Sequence, residues 1–208
     1  MKTPSIKYNI ILSTIHQILT MIVPFITAPY VARVLGADGV GIYSYTSSIQ
    51  MYFSMFAALG TVSYGTREIA RYREDSTVRS VLFWNIELLT IVTTIICMGI
   101  WIIWIFISND YRIYYLVLTL NLAAVVFDIS WFYKGLEQFK YIVVQNLFFK
   151  ILGIVMLFTF VREKDDLVVY IAIMSLVTLL GNASMWIYLP KFLKRISFQN
   201  IHSDVPPL

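Results

Sequence analysis

Six stretches of mostly apolar residues, at about 9–32, 41–64, 81–107, 113–133, 141–161 and 167–189, limit what this chain can fold into. Each reaches the roughly 20 residues that a helix needs to cross about 30 Å of hydrocarbon. Short charged stretches separate them. No single water-soluble core could absorb so much: 59% of the 208 residues are hydrophobic and 13% charged, whereas a soluble domain is nearer half and a quarter. In lipid, only helices and closed barrels satisfy all their own backbone groups. No alternating strand pattern of barrel type is present, so all six runs are read as helices. Lys2 and Lys7 precede the first run in the manner of a signal peptide, but it is too long for an h-region and five more runs follow.

Basic residues orient the bundle. Lys2 and Lys7, then Arg67, Arg71, Arg73 and Arg79, then Lys134 and Lys140, then Lys191, Lys194 and Arg195 fall on alternate connections. The intervening connections hold only Arg33, Arg112, Arg162 and Lys164. An excess of Lys and Arg marks the cytoplasmic side. Both termini are therefore expected in the cytoplasm, as an even number of spans requires. The expected fold is an all-α, multi-pass membrane protein: a six-helix transmembrane bundle over residues 1–195, with 196–208 as a cytoplasmic tail.

Several function classes are disfavoured. Cys97 is the only cysteine and lies inside an apolar run, so no internal disulfide framework exists. His16 and His202 are far apart, and no cluster has metal-ligand spacing, so neither metal nor cofactor is expected. The net charge of +4 does not indicate nucleic acid, because the basic residues alternate with apolar spans. The glycines at 36, 39 and 41 follow no strand and form no dinucleotide fingerprint, and no G-x-x-x-x-G-K-[ST] occurs. They read as a tight outer turn. No triad or paired catalytic carboxylates stand in a loop, so an enzyme is not expected.

Within the spans, the irregular residues are the candidates for function. Pro24 and Pro29 interrupt the first run and should kink it, either as a bending point or as a static packing feature. Residues 67–79 are amphipathic and mixed in charge, suiting a surface segment beside anionic headgroups or a solvated connector. A charge inside the bilayer costs about 2.5–3.5 kcal/mol on insertion scales. Glu87, Asp128 and Lys150 stand out on that ground, with His16, Gln17, Gln145, Asn146 and Asn182 as polar company. They could line a hydrated central cavity for a polar, anionic headgroup. Alternatively, Asp128 or Glu87 could pair with Lys150 to lock helices together. Trp101, Trp104, Trp131, Trp186 and Tyr188 lie toward span ends, as belt residues do.

Three ordered blocks carry a family resemblance. The first is Thr27-Ala-Pro-Tyr-Val-Ala-Arg33-Val-Leu-Gly36-Ala-Asp-Gly39-Val-Gly41-Ile-Tyr43. The second is Gly60 followed by Tyr64-Gly65-Thr66-Arg67-Glu68-Ile69-Ala70. The third is Asp128-Ile-Ser-Trp131-Phe132-Tyr133-Lys134-Gly135-Leu136-Glu137-Gln-Phe139-Lys140-Tyr141. Over residues 5–195 the chain resembles the N-terminal half of polysaccharide-biosynthesis flippases of the Wzx type, within the multidrug/oligosaccharidyl-lipid/polysaccharide exporter superfamily. The resemblance implies one six-helix lobe of a MATE-like exporter in the bacterial cytoplasmic (inner) membrane. It implies transport of undecaprenyl-pyrophosphate-linked oligosaccharide for O-antigen or capsule by alternating access, with lipid-linked oligosaccharide and membrane lipids as partners. Lys150 falls where many members place a basic residue. Arg33 and Arg67 would either cap helix C-termini or attract the pyrophosphate.

The chain departs from the family by stopping after one bundle. Residues 196–208 are read as a truncated linker between lobes, and a second six-helix half or a homodimer is the expected complement. A drug/cation antiporter of the same superfamily, using Glu87 and Asp128, is the alternative transporter. An inactive remnant or membrane scaffold is the alternative outside transport.

Overall fold

The computed structural model describes residues 6–194, with the side chains at positions 6–9, 16 and 19 excepted. Lys2, Arg195, His202 and the tail 196–208 lie outside the described residues. The described chain is helical throughout, without a strand: α1 (Ile6–Ala58), α2 (Thr61–Arg71), α3 (Ser76–Ile107), α4 (Arg112–Phe127), α5 (Ser130–Gly135), α6 (Phe139–Phe160) and α7 (Leu167–Ser184). Short 3₁₀ segments, Lys164–Asp166 and Met185–Lys191, flank α7.

Among the described residues, five helical stretches are long and apolar enough to cross a membrane, where the sequence suggests six. The difference lies in α1. Its 53 residues would extend about 80 Å if straight, more than twice the hydrocarbon thickness. The expected turn at 35–41 shrinks to one residue, Gly36, whose φ of 70° and ψ of 179° leave the helical region inside an otherwise continuous helix. That conformation is open almost only to glycine. Both arms of α1 meet the α6–α7 connection. In the first arm the Tyr30 hydroxyl donates to the Val161 carbonyl at 2.7 Å. In the second the Tyr43 ring stands 4.9 Å from that of Tyr170, in the first turn of α7. Pro24 and Pro29 lie inside the first arm, and the helix runs on through both.

The loops sort into two ends. At one, Arg73 pairs with Glu137 at 3.0 Å, joining the α2–α3 and α5–α6 connections. There Arg79 donates from Nη1 to the Arg73 carbonyl and from Nη2 to the Phe192 carbonyl at 2.6 Å, drawing in the segment after α7. Three of the four basic segments thus share one end. At the other end, Lys164 stands over Gly36 and the rings of Tyr45 and Tyr111 meet at 5.7 Å.

Two expectations are refined. Residues 67–79 comprise the end of α2, a connector and the first turn of α3. α2 ends at Arg71, and the Asp75 carboxylate then caps α3 by accepting from the Thr77 and Val78 amides at 2.9 and 3.1 Å. Arg79 is 5% exposed, so it is a tie between loops instead of a headgroup contact. Nor are all the tryptophans belt residues. Trp101 and Trp131 are fully buried. Trp101 donates to Thr119 at 3.0 Å, and Trp131 stacks on Phe83 with centroids 5.5 Å apart. Span-end position fits both a belt and the core of a bundle end; packing partners separate them.

The interior holds two apolar clusters. One centres on Trp101, Tyr115, Leu118, Leu122, Leu157 and Ile171. The other, at the basic end, centres on Ile69, Phe83, Trp131, Phe132, Tyr133 and Leu189. The outward faces are apolar too: Phe25, Met51, Ile107 and Ile187 are 70–80% exposed. Water tolerates few such continuous surfaces, whereas lipid solvates them. The chain is a multi-pass membrane protein.

Candidate functional site

Two of the helical runs are broken, and the breaks share one cavity. Between α1 and α2, Leu59 and Gly60 take φ of 44° and 72°. Between α4 and α5, Asp128 and Ile129 leave the helix, and the Asp128 carboxylate accepts from the Ser130 amide at 3.0 Å. Non-helical backbone at membrane depth is tolerated where it lines a cavity or is buried in protein. Discontinuous helices of this kind build substrate sites in transporters.

Both breaks border a cavity of about 330 Å³, walled by α1, α2, α3, α4 and α7. It lies between the two apolar clusters: Thr90, for example, falls between Ile86 of one and Cys97 of the other along α3. Its polar lining is Ser54, Thr61, Thr90, Asn121, Asp128, Thr178 and Asn182. Neighbours hold these groups in place. Asn121 donates to Ser175 at 3.0 Å, Asn182 to the Ala124 carbonyl at 2.9 Å, and Thr90 to Thr61 at 3.3 Å. Thr90 and Thr178 also bond carbonyls one turn back, which lets a hydroxyl sit in an apolar helix without an orphan donor.

Glu87 lies one turn along α3 from Thr90, toward the basic end. It is fully buried, and neither carboxylate oxygen has a hydrogen-bond partner. An unpaired buried carboxyl opposes folding, which makes Glu87 a candidate functional group near the cavity.

The other sequence candidates disperse. Lys150 is half-buried on α6 and does not line the cavity; no ion pair among the described residues joins it to Glu87 or Asp128. Arg33 is exposed in the last turn before Gly36, near the Lys164 end. Arg67 is exposed in the interior of α2, not at its end, and pairs with Glu68 at 3.2 Å. Gln17 is exposed on the first arm of α1, and of His16 only the helical backbone is described. Among the described residues, the cavity lining therefore carries an acid and neutral polar groups but no lysine or arginine. Sequence reading named Asp128 and Asn182 and passed over Asn121, Thr61, Thr90, Thr178 and Ser54. Asn121, a lone amide in an apolar run, had the same signal as Asn182; the hydroxyls had none.

Comparison with known sequences agrees with this architecture. A sequence profile described as "Polysaccharide biosynthesis protein" matches residues 6–205, nearly the whole chain. The chain belongs to the polysaccharide biosynthesis protein family. A protein of Escherichia coli (strain K12) named "Putative O-antigen transporter" is 23% identical over 168 residues, covering 79% of this chain and 40% of that protein. One of the same name from Shigella dysenteriae is 23% identical over 164 residues, covering 78% and 41%. The chain spans about two fifths of the length of these relatives. No solved structure matches it.

In this polysaccharide biosynthesis protein, two of the sequence blocks quoted above pack against each other. The Trp131 ring lies directly on Gly65, where a methyl group would collide with it. A methyl on Gly135 would stand 2.8 Å from Ile69 and from the Thr66 carbonyl. Thr66 donates to the Trp131 carbonyl at 3.3 Å. The blocks are thus a clasp between α2 and α5, the two pieces that follow the breaks. The clasp holds together the two pieces that border the cavity at its breaks.

Proposed function

We propose that this chain forms one membrane-embedded lobe of a transporter that carries lipid-linked oligosaccharide units across the bacterial cytoplasmic membrane for surface polysaccharide assembly. The observation that carries this reading is the polar cavity at two helix breaks, inside an apolar bundle of a polysaccharide biosynthesis family member. Asn, Thr, Ser and Asp side chains donate to and accept from hydroxyl groups, which is the chemistry of a sugar. With no lysine or arginine in its lining, the cavity suits the oligosaccharide and not the diphosphate. Arg33, Arg67 and Lys150, outside the cavity, remain the cations of this chain for the diphosphate, and a second lobe or a second copy completes the enclosure. The first-arm residues His16, Gln17, Pro24 and Pro29 would flank the moving boundary between lobes. The basic end faces the cytoplasm, by the charge rule.

The test is complementation in a strain lacking its O-antigen transporter, with surface polysaccharide as the readout. The chain is supplied alone and together with the C-terminal half of a longer relative. Restored polysaccharide that falls at least tenfold in Asn121→Ala/Asn182→Ala supports the reading. Undiminished polysaccharide in that variant refutes it.

The acidic character of the site favours a second reading, a drug/cation antiporter. Glu87 and Asp128 would attract a cation, and Met51 and Met55 at the wall would suit its apolar body. Raised resistance to cationic dyes, with polysaccharide unaffected, would select it.

A further inference from the structure

A second concavity lies apart from the polar cavity, between α6 and the 3₁₀ segment Met185–Lys191 at the basic end. Its volume is about 590 Å³. Lys140 and Lys191 stand at its rim, both exposed. Among the described residues, no carboxylate lies within ion-pair distance of either ammonium. The Lys191 ammonium sits 5.3 Å over the Tyr188 ring, whose neighbour across the groove is Tyr141 at 4.9 Å. Deeper in, Gln145 lines the groove at 9% exposure, and its Oε1 has no hydrogen-bond partner. Its Nε2 lies against Gly181, where a methyl group would come within 2.6 Å, so α7 backs the amide and keeps it in the groove. Val144 stands beside Gln145, and beyond it the walls are Phe148 and Phe149.

The groove therefore changes character along its length. From Lys140 to Phe149 the helix rises about 13 Å. Over that distance the lining passes from two ammonium groups that make no ion pair among the described residues, through two tyrosines and the Gln145 amide, to phenylalanines. This is the polarity profile of one membrane phospholipid, from phosphate through glycerol esters to acyl chain. Basic pockets between helix ends at the cytoplasmic face are suited to anionic headgroups.

We propose that this groove binds an anionic glycerophospholipid of the surrounding bilayer. Its phosphate sits between Lys140 and Lys191, and its glycerol-ester region lies at Gln145. The Gln145 amide turns about its last torsion to donate to an ester or phosphate oxygen, and the acyl chain follows Phe148. Neither the transport reading nor the polar cavity is needed for this site, and either can fail without the other.

The test is native mass spectrometry of the purified full chain in detergent, titrated with phosphatidylglycerol and, separately, phosphatidylcholine. One phosphatidylglycerol is expected to be retained, in preference to phosphatidylcholine. Lys140→Gln/Lys191→Gln should weaken its retention by roughly tenfold or more, and Lys140→Arg/Lys191→Arg should keep it. Gln145→Leu should weaken it several-fold with both lysines present. A thermal melt followed by tryptophan fluorescence confirms that each variant is folded. Equal retention by the wild type and the folded Lys→Gln variant would overturn the proposal. So would displacement of the lipid by millimolar inorganic phosphate, which would make this a free-anion site. Displacement by equimolar undecaprenyl diphosphate would likewise overturn it, assigning the groove to transported lipid instead.

Discussion

At the scale of single residues, the chain retains groups that stability alone would discard. Glu87 is the clearest: a fully buried carboxyl with no hydrogen-bond partner, one turn from Thr90 of the cavity. Replacing an unsatisfied buried polar group by an apolar one of similar shape removes its desolvation penalty. Glu87→Leu is expected to stabilise the purified protein by about 1–3 kcal/mol, read as a higher melting temperature, and, if the proposed transport reading holds, to lower the polysaccharide restored in the complementation test. A lower melting temperature would show that the carboxyl has a structural partner. Glycines make the opposite case. Gly36→Ala places a β-carbon in a backbone region closed to it and should cost about 1–3 kcal/mol. Gly65→Ala should cost a similar ~1–3 kcal/mol by overpacking, because the Trp131 ring occupies the space. Gly65→Ala combined with Trp131→Leu should recover part of that loss if the ring is the obstacle; no recovery in thermal melts would place the cause elsewhere.

At the scale of elements, broken helices are the main departure from the sequence reading. The runs at 41–64 and 113–133 are each divided, at 59–60 and at 128–129. Hydropathy does not register a break, because it sums side chains and ignores backbone angles. Asp128 was legible as a charge at depth, but its local work, capping the turn into α5 through the Ser130 amide, was not. Arg79 shows the same limit. Its charge grouped it with the basic loops, yet its guanidinium bonds one carbonyl of the preceding loop and one from a distant segment. Arg79→Met should cost about 2–4 kcal/mol, since charge-assisted hydrogen bonds are worth about 1.5–3 each and one buried and one part-buried carbonyl lose their donor. The cost should appear as a lower melting temperature in detergent; an unchanged melting temperature would mean that water replaces the guanidinium.

At the scale of the whole molecule, the two ends differ in charge and in construction. The basic end is tied by Arg73–Glu137, by Arg79 and by the Lys194 amide donating to Ser80 at 3.0 Å. The opposite end meets at Gly36, Lys164 and the Tyr45–Tyr111 pair. With Cys97 removed as Cys97→Ser, Lys134→Cys and Lys164→Cys should react with a membrane-impermeant maleimide from opposite sides. Lys134→Cys should label only in inside-out vesicles or permeabilised cells, and Lys164→Cys in intact cells. Labelling of both from one side would break the shared-end topology.

The amino-acid sequence by itself determined that this protein lives in lipid, that it is helical, and which loops group by charge. These follow from local quantities: twenty-residue apolar runs and the placement of sixteen lysines and arginines. It also carried the family, through blocks whose glycines turn out to be points of close contact between α2 and α5. Only the tertiary structure decided that Asp128 lines a polar cavity while Lys150 stays apart, that Trp131 is core and not belt, and that the cavity opens at two helix breaks. The reason is physical. Solvation by lipid is set residue by residue along the chain, whereas a cavity exists only where several helices approach and fail to fill the space between them.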